Sequence, residues 1–366
     1  MSRSFFRRLQ VKALTAGFST MRRWGKTPPP KTVMWECTRD CTMACIHCGA
    51  SSGGDTVGEE LSTAAISGIV RDLAGLGVRR FLVTGGEPLL RADLLEVLER
   101  AKEGGMETGF STNGLAVSEA NIGRIVRVAD SVQVSVDGTE KTHDALRKTP
   151  GAFSGALNAL HLLRSNGCRQ ACMTSVISPL NIHEREDLYE LARGNADLWR
   201  VGTVMPVGRA SADDTLFLSD GQLRLLLDFI AEKMQGDFPV LIGENLGYLG
   251  DLYEKRIRGD DLFFCGAGII SCCIGVDGRV RGCPELPPEP RFLAGDLRTD
   301  SFSEIWERGF DQYRDEGISH ASTECRDCSD LDLCRGGCRV MSLKGMNCTK
   351  KRVGSCSESC LPLREQ

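Results

Sequence analysis

Three cysteines, Cys41, Cys45 and Cys48, stand in a C-x3-C-x2-C spacing within the stretch 37–48. Three thiolates on one short loop can hold three corners of a cubane iron–sulfur cluster, whose usual protein site takes four cysteines. Three ligands leave one iron open, and an open coordination position separates a catalytic metal site from a closed structural one. Cys37 is available as a fourth ligand, although it ends an apolar run over 32–36 that reads as a strand. The competing reading of this loop is a zinc knuckle or a disulfide cluster.

A denser set lies towards the C-terminus. Cys325, Cys328, Cys334 and Cys338 read C-x2-C-x5-C-x3-C, with Cys265 and a Gly278-x4-Cys283 step upstream and Cys356 downstream. Thiolates also suit zinc, so two zinc-ribbon-like sites compete with iron–sulfur clusters here. Between the two sets, Thr84-Gly85-Gly86-Glu87-Pro88 closes an apolar run. Adjacent glycines permit close backbone approach to a ligand, and Pro88 favours an extended Glu87. Alone, that stretch could equally be a strand-to-helix turn. Ser111-Thr112-Asn113-Gly114 ends another apolar run, and Ser135-Val136-Asp137-Gly138 a further one, with Arg147 twelve residues after Ser135. The bland reading of Arg147 is a surface ion pair.

These groups need a scaffold that brings run ends together. Strand candidates are Val33–Cys37, Arg80–Thr84, Glu107–Ser111, Ser131–Val136, Cys172–Ile177 and Trp199–Met205. Helix candidates are Ser62–Gly75, Asp93–Lys102, Ser118–Val128, Gly151–Arg164 and Glu184–Arg193, followed by one near Gln222–Met234. Alternating βα units of this length predict an α/β fold with a parallel sheet, as a full or partial barrel. Function in such folds sits at the C-terminal ends of the strands, where the first cysteine loop falls. Past Cys265 the chain turns to short segments, with a hairpin turn at Gly275-Val276-Asp277-Gly278 and a lone helix over Phe302–Arg314. The expected organisation is a basic extension at 1–31, a barrel at 32–235, a linker at 236–264 and a cysteine-stapled α+β domain at 265–366.

The charge of the 366-residue chain is unevenly distributed. Residues 1–31 carry eight Lys/Arg and no acid, which leaves 37 basic against 49 acidic residues in the remainder. An acidic body argues against non-specific nucleic-acid binding. No apolar run reaches the roughly 18–20 residues of a membrane span. Seventeen cysteines with no secretory signal before them fit a cytoplasmic, reducing and anoxic setting, in which clustered cysteines are metal ligands before they are disulfides. Walker-type, His-Glu-x-x-His and Rossmann patterns are absent from the sequence.

The first cysteine loop, the Gly-Gly-Glu-Pro strand end and the C-terminal cysteine run together resemble the radical S-adenosylmethionine (SAM) superfamily, in the branch with a C-terminal SPASM extension. The resemblance spans 32–356 and implies a partial (β/α)6 TIM-like barrel with a small Fe–S-stapled α+β domain. It gives Cys41, Cys45 and Cys48 the catalytic [4Fe–4S] cluster, and turns Gly85, Gly86, Glu87 and Pro88 towards the methionyl ammonium of SAM. Ser135 and Arg147, beside Asp137, take the methionyl carboxylate, a task suited to the forked guanidinium. Ser111 and Asn113 line the ribose side, and Val204, Met205 and Pro206 flank the adenine or are simple core. Two auxiliary [4Fe–4S] clusters follow from the pattern, one on Cys265, Cys272, Cys283 and Cys338, the other on Cys325, Cys328, Cys334 and Cys356. Cys273 can replace Cys272, and Cys348 or Cys360 can replace Cys356. Glu285 is either a proton acceptor beside the nearer auxiliary cluster or a surface carboxylate. His47, inside the first loop, reads as a neighbour of the cluster and not as a ligand.

The chemistry implied is reductive cleavage of SAM and hydrogen abstraction from a substrate, with electrons from a reducing partner such as flavodoxin or ferredoxin. Two substrate classes stand side by side. About forty residues precede Cys41, too few for a built-in peptide-recognition domain, so a peptide substrate would come with a separate recognition protein. A tetrapyrrole is the other class, because Pro206-Val207-Gly208-Arg209-Ala210 resembles the haem-biosynthesis branch. A reading of a different kind is a non-catalytic iron–sulfur carrier or zinc scaffold.

Overall fold

The computed structural model describes residues 21, 27–53, 59–259, 263, 265–314, 325 and 327–354. Its backbone is one ten-stranded sheet in the order β10-β9-β8-β1-β2-β3-β4-β5-β6-β7. The first six strands are β1 (Thr32–Glu36), β2 (Arg80–Thr84), β3 (Glu107–Thr112), β4 (Ser131–Ser135), β5 (Gln170–Ile177) and β6 (Leu198–Thr203). Each pairs in parallel with the next, so all their C-terminal ends open on one rim. The helices between them are α1 (Thr63–Gly75), α2 (Leu94–Glu103), α3 (Ile122–Val128), α4 (Glu140–Arg147), α5 (Ala152–Ser165) and α6 (Arg185–Asn195), followed by α7 (Asp220–Lys233) after β6.

Local chemistry explains these boundaries. Ser62 caps α1 through its side chain on Ala65 N, and Ser219 with Gln222 forms a capping box on α7. α3 begins four residues later than the sequence suggests. The Ser118 amide donates to Asn121 Oδ1, and this local turn outcompetes helix over 118–121. α4 escapes sequence reading because only eight mostly polar residues form it, too few for a clear periodicity. Val33, Trp35, Phe81 and Val83 from the strands meet Ile66, Val70 and Leu73 of α1 in the main core.

The sheet grows at both edges. β7 (Val240–Ile242) pairs with β6, so the stretch expected to act as a linker also extends the barrel sheet. On the other side β8 (Ser271–Ile274) pairs in parallel with β1, and β9 (Arg279–Arg281) and β10 (Leu293–Asp296) follow antiparallel. The expected turn at 275–278 connects β8 and β9, with Gly278 at φ 86° and its amide on Gly275 O. The cysteine-rich segment therefore continues the barrel sheet. The helix expected over Phe302–Arg314 is two helices, α8 (Phe302–Arg308) and α9 (Asp311–Arg314). Gly309 breaks it where the backbone meets β10: a Cβ there would lie 1.9 Å from Ala294 O. Most of the basic extension lies outside the described residues; at its end, Pro28 O accepts from the Trp306 indole at 2.7 Å. Among the described residues no helix is long and apolar enough to cross a membrane.

Candidate active site

The rim gathers the first cysteine loop and the ends of β2 to β6. Cys41, Cys45 and Cys48 lie together in a small cluster with Met43 and Ala152. Burial raises the Cys45 thiol first; Arg147 counters it, while Asp137, Cys48 and Cys41 add to it, so thiols and guanidinium are neighbours. Cys37 stands apart. Its amide continues the sheet on Thr84 O and its side chain is fully buried in the main core, which pushes the thiol far up.

Backbone contacts hold the loop. Gly86 N donates to Thr38 O and Glu87 N to Asp40 O, both at 2.7 Å. A Cβ on Gly86 would lie 2.0 Å from Asp40 O, and one on Gly85 2.5 Å from Thr38 O. The adjacent glycines are thus explained by close approach of the cysteine loop itself. A second clamp comes from the end of β6. Arg209 Nε donates to Cys45 O at 2.8 Å, its Nη1 to Ser52 O at 2.7 Å and its amide to Cys48 O at 3.0 Å. Gly208, at φ 59°, leaves no room for a Cβ against Gly49 O, 2.1 Å away.

Glu87 is fully buried and ties strand ends together. Its carboxylate accepts from Thr112 Oγ1 and Asn113 N at 2.8 Å and from Leu89 N at 3.1 Å. Burial raises its pKa, and those three donors oppose the rise. Asn113 also donates from Nδ2 to Thr42 Oγ1 at 3.0 Å, which places it on the cysteine loop. Pro88 opens a short 3-10 turn. Ser111 and Ser135 sit in their strands opposite Gln133 and Thr174 respectively.

Arg147 is paired with Asp137. It donates from Nε and Nη2 to Asp137 Oδ2 at 2.8 and 2.6 Å. Val176 N donates to Oδ1 at 2.8 Å, and His47 Nε2 stands 3.2 Å from Oδ2. Burial would raise the Asp137 carboxyl, but Arg147 and His47 hold it far below the usual carboxylate range. Sequence reading placed Asp137 beside this pair without making it the hub. His143, whose Nδ1 accepts from Asp137 N at 3.0 Å, and Arg209 as a clamp were missed. The signal for both was position just past a strand end on the active rim, and Arg209 also lies in the Pro206–Ala210 stretch that resembles the haem-biosynthesis branch.

Two groups of cysteines form beyond β8. Glu285, Cys338 and Cys265 all act on the half-buried Cys283 thiol, and Cys265 acts on Cys338. β8 sends its two cysteines to opposite faces. Cys272 lies beside Val33 in the main core, whereas Cys273 lies opposite Arg281 with Glu36 and Glu285 near it. The other group is Cys325, Cys328, Cys334 and Cys348; Cys356 and Cys360 lie outside the described residues. Cys168 and Cys172 are buried strand-side residues, as small apolar side chains would be. Glu285 is half-buried and reaches the first loop: a Cβ on Gly49 would lie 2.5 Å from its Oε2. Burial, with Glu36 adding and Arg281 opposing, pushes its pKa up to about 7.

The radical SAM superfamily profile matches residues 35–192, and that of SPASM, an iron–sulfur cluster-binding domain, matches 265–329. Mycofactocin maturase MftC of Mycobacterium ulcerans is 33% identical, over 84% of this chain and 83% of its own. The chain belongs to the radical SAM superfamily. AdoMet-dependent heme synthase of Nitratidesulfovibrio vulgaris is 26% identical over 86% of this chain and 88% of its own. Among solved structures, anSMEcpe with bound AdoMet superposes with a TM-score of 0.71 at 18% identity, covering 89% of this chain and 95% of that one. SuiB of Streptococcus suis bound to S-adenosylmethionine gives 0.71 at 15%, covering 89% and 77%. Both confirm the fold of this radical SAM enzyme, a partial barrel with a SPASM region.

Membership implies SAM and [4Fe–4S] cofactors, and the donor chemistry fits them. Among the described residues, no three Cys, His, Asp or Glu side chains form a cage for a single metal ion. A cubane takes its thiolates on separate irons, a wider arrangement that a set such as Cys41, Cys45 and Cys48 can span.

Proposed function

We propose that this radical SAM enzyme matures a ribosomally made peptide or peptide-derived cofactor by hydrogen abstraction. The observation that carries the reading is the convergence of Cys41, Cys45 and Cys48 beside Arg147 on the rim, in a chain whose maturase relative matches it nearly end to end. When bound, the cluster and SAM together supply the reducing electron and the 5′-deoxyadenosyl radical. Cys41, Cys45 and Cys48 would hold that cluster, and Arg147, neutralised on one side by Asp137, keeps its remaining donors for the methionyl carboxylate. The Gly85–Pro88 turn and Asn113 fix the loop's height on the rim. Ser111, Ser135 and Asp137 complete the SAM-facing edge.

A cavity of about 570 Å³, bounded by the Pro206–Gly208 stretch that packs on Gly49 and by Arg339 next to Cys338, is the candidate place for substrate. Pro206, Val207 and Gly208 wall it from the barrel, Arg291 and Phe292 from the hairpin side, and Arg339 from the residue after Cys338. Glu285 stands between the first loop and the Cys265–Cys283–Cys338 group, where a proton released with the product could go. The segment 32–235 acts as the barrel, 236–264 as the connection and 265–366 as the domain with two auxiliary clusters. A flavodoxin or ferredoxin would deliver electrons, and a separate recognition protein would present the peptide.

Tetrapyrrole modification is the second reading, favoured by the heme synthase match over most of both chains. Anaerobic reconstitution, iron counting and a 5′-deoxyadenosine assay with dithionite test the shared chemistry. About twelve irons and SAM cleavage support it; persistent zinc, or iron without cleavage, overturns it. Assays with a short precursor peptide and with an iron porphyrin bearing propionates then separate the two substrates.

A further inference from the structure

Resting on the proposed use of the cavity beside Arg339 for substrate, we infer that Arg339 recognises a carboxylate carried on an otherwise apolar substrate body. Arg339 opens the short helix Arg339–Ser342 directly after Cys338 and lines the cavity. Its guanidinium lies over the Tyr313 ring, with Cζ 5.0 Å from the ring centre. Nη2 donates to Tyr313 O at 3.3 Å, a long contact. A guanidinium has several N–H donors in a fixed fork, so most of them are left for another partner. The platform beneath it is rigid: Tyr313 is buried, and its hydroxyl donates to Phe292 O at 2.7 Å on the cavity wall.

Among the described residues no carboxylate answers this charge. Burial comes first in lowering the Arg339 pKa, and the groups opposing it are Cys265, Tyr313 and Cys338. Arg335, on the turn before, is lowered by burial and then by Arg339, against Cys265 and Asp332. Two half-buried guanidiniums therefore repel each other, an arrangement that a bound anion would relieve. Glu289 is the one acid lining the cavity among the described residues, and it is already paired with Arg291 at 2.9 Å on an exposed edge. The competing role for Arg339 is counter-charge to a cluster on Cys265 and Cys338. Its stacked, cavity-facing position favours substrate, because a planar fork held on an aromatic face is prepared for two-pronged carboxylate binding.

The remaining walls define the rest of the ligand. Pro206, Val207, Pro287, Phe292 and Leu343 offer apolar surface around a few polar groups, the usual make-up of a small-molecule site. Gly208 in the same wall packs against Gly49 O at the end of the first cysteine loop, so a body lying along this wall extends towards that loop. A peptide carboxylate and a tetrapyrrole propionate present the same chemistry to Arg339.

The test is calorimetric binding of acids and their neutral counterparts to the full chain, reconstituted anaerobically. The pairs are phenylpropionate and phenylpropionamide, N-acetylglycylphenylalanine and its C-terminal amide, and iron coproporphyrin III and its tetramethyl ester. At least one acid should bind about ten- to hundredfold tighter than its partner. Preference within the peptide pair or within the porphyrin pair identifies the source of the carboxylate, and preference within the phenylpropionate pair alone supports the anchor itself. Arg339→Gln should abolish the preference, and Arg339→Lys, which keeps charge without the fork, should retain only part of it. No preference in any wild-type pair overturns the assignment, and this comparison needs no variant to fold. A preference that survives in Arg339→Gln also overturns it; if the reduced electron paramagnetic resonance spectrum then changes, Arg339 is a counter-charge to the cluster instead. Wild-type protein that takes up no iron or cleaves no SAM overturns the underlying enzyme reading, which separates that failure from a failure of the carboxylate site.

Discussion

Arg281 on β9 donates from Nη2 to Oε2 of Glu36 on β1 at 2.5 Å, joining residues 245 positions apart across the seam between the barrel and the cysteine-rich region. Both side chains are nearly inaccessible, and Arg281 also donates to Pro284 O at 2.9 Å. Removing one partner of such a pair leaves the other charge buried and uncompensated, at a cost of about 3–5 kcal/mol. Glu36→Leu should therefore lower stability by that order in denaturant titration. Glu36→Leu combined with Arg281→Met should recover part of the loss, because no charge is then stranded. A double variant no more stable than the single one would show that the pair does not act as a unit.

His143 predicts an acid-side loss of stability. It is fully buried on α4, and its pKa is pushed down from 6.5 to about 4 by burial first. Arg147 and His47 also disfavour its charged form, while Asp137 and Asp144 oppose them. Above about pH 6.5 the imidazole is neutral in both folded and unfolded chains and contributes no pH dependence. Below that value the unfolded chain takes up a proton that the folded one refuses until about pH 4, so stability falls as pH falls. By pH 5.5 the loss is about 1 kcal/mol relative to pH 7.5. Urea midpoints at the two pH values should differ more for wild type than for His143→Gln, whose side chain can still accept from Asp137 N. Equal differences would remove His143 from the acid response.

How far the sequence foretold this site depends on what each feature needed. β2 begins and ends where the residues suggest, because an apolar run between a charged start and a glycine pair leaves little freedom. The hairpin turn at 275–278 was equally legible, since Gly278 serves a left-handed position. Side-chain partnership was less so. The resemblance named Ser135 and Arg147 together for a carboxylate ligand, and the ion pair that Arg147 makes with Asp137 came only from the orientation of α4, a helix too short to announce itself. The pairing of β8 with β1 spans more than two hundred residues, and no local pattern encodes such a contact. The two faces of β8 follow from simple alternation, but that one meets the barrel core and the other Arg281 had to come from the fold.

The glycine contacts make a sharper prediction about the loop. Gly86→Ala puts a methyl group 2.0 Å from a backbone carbonyl of the cysteine loop, and neither partner is a flexible side-chain end. The loop must shift, so the variant should lose iron from the three-cysteine site and with it most 5′-deoxyadenosine formation. Gly123→Ala is the matched control. That glycine lies inside α3 with nothing within 4 Å of a built Cβ, and alanine there should stabilise the helix by about 0.5–1 kcal/mol. Iron counting and thermal melts on both variants separate loop displacement from general destabilisation. Full iron in Gly86→Ala would mean that the close approach does not set the loop.

Arg209 gives the last prediction. Its guanidinium reaches Cys45 O and Ser52 O with separate nitrogens, so it spans the cysteine loop from its middle to its end. It touches no thiol, and its part is to position those that do. Residues that orient metal ligands in this way typically cost 10–100-fold in metal affinity or activity when changed. Arg209→Gln should therefore lower the 5′-deoxyadenosine rate by about 10–100-fold while the C-terminal clusters keep their irons. Arg209→Lys retains the charge but cannot make both contacts at once, since an ammonium lacks the planar fork. It should behave like the glutamine variant if geometry matters, and like wild type if only charge does. Measuring the rate together with the iron content of each variant decides between them, because a charge effect would alter the rate without loosening the cluster.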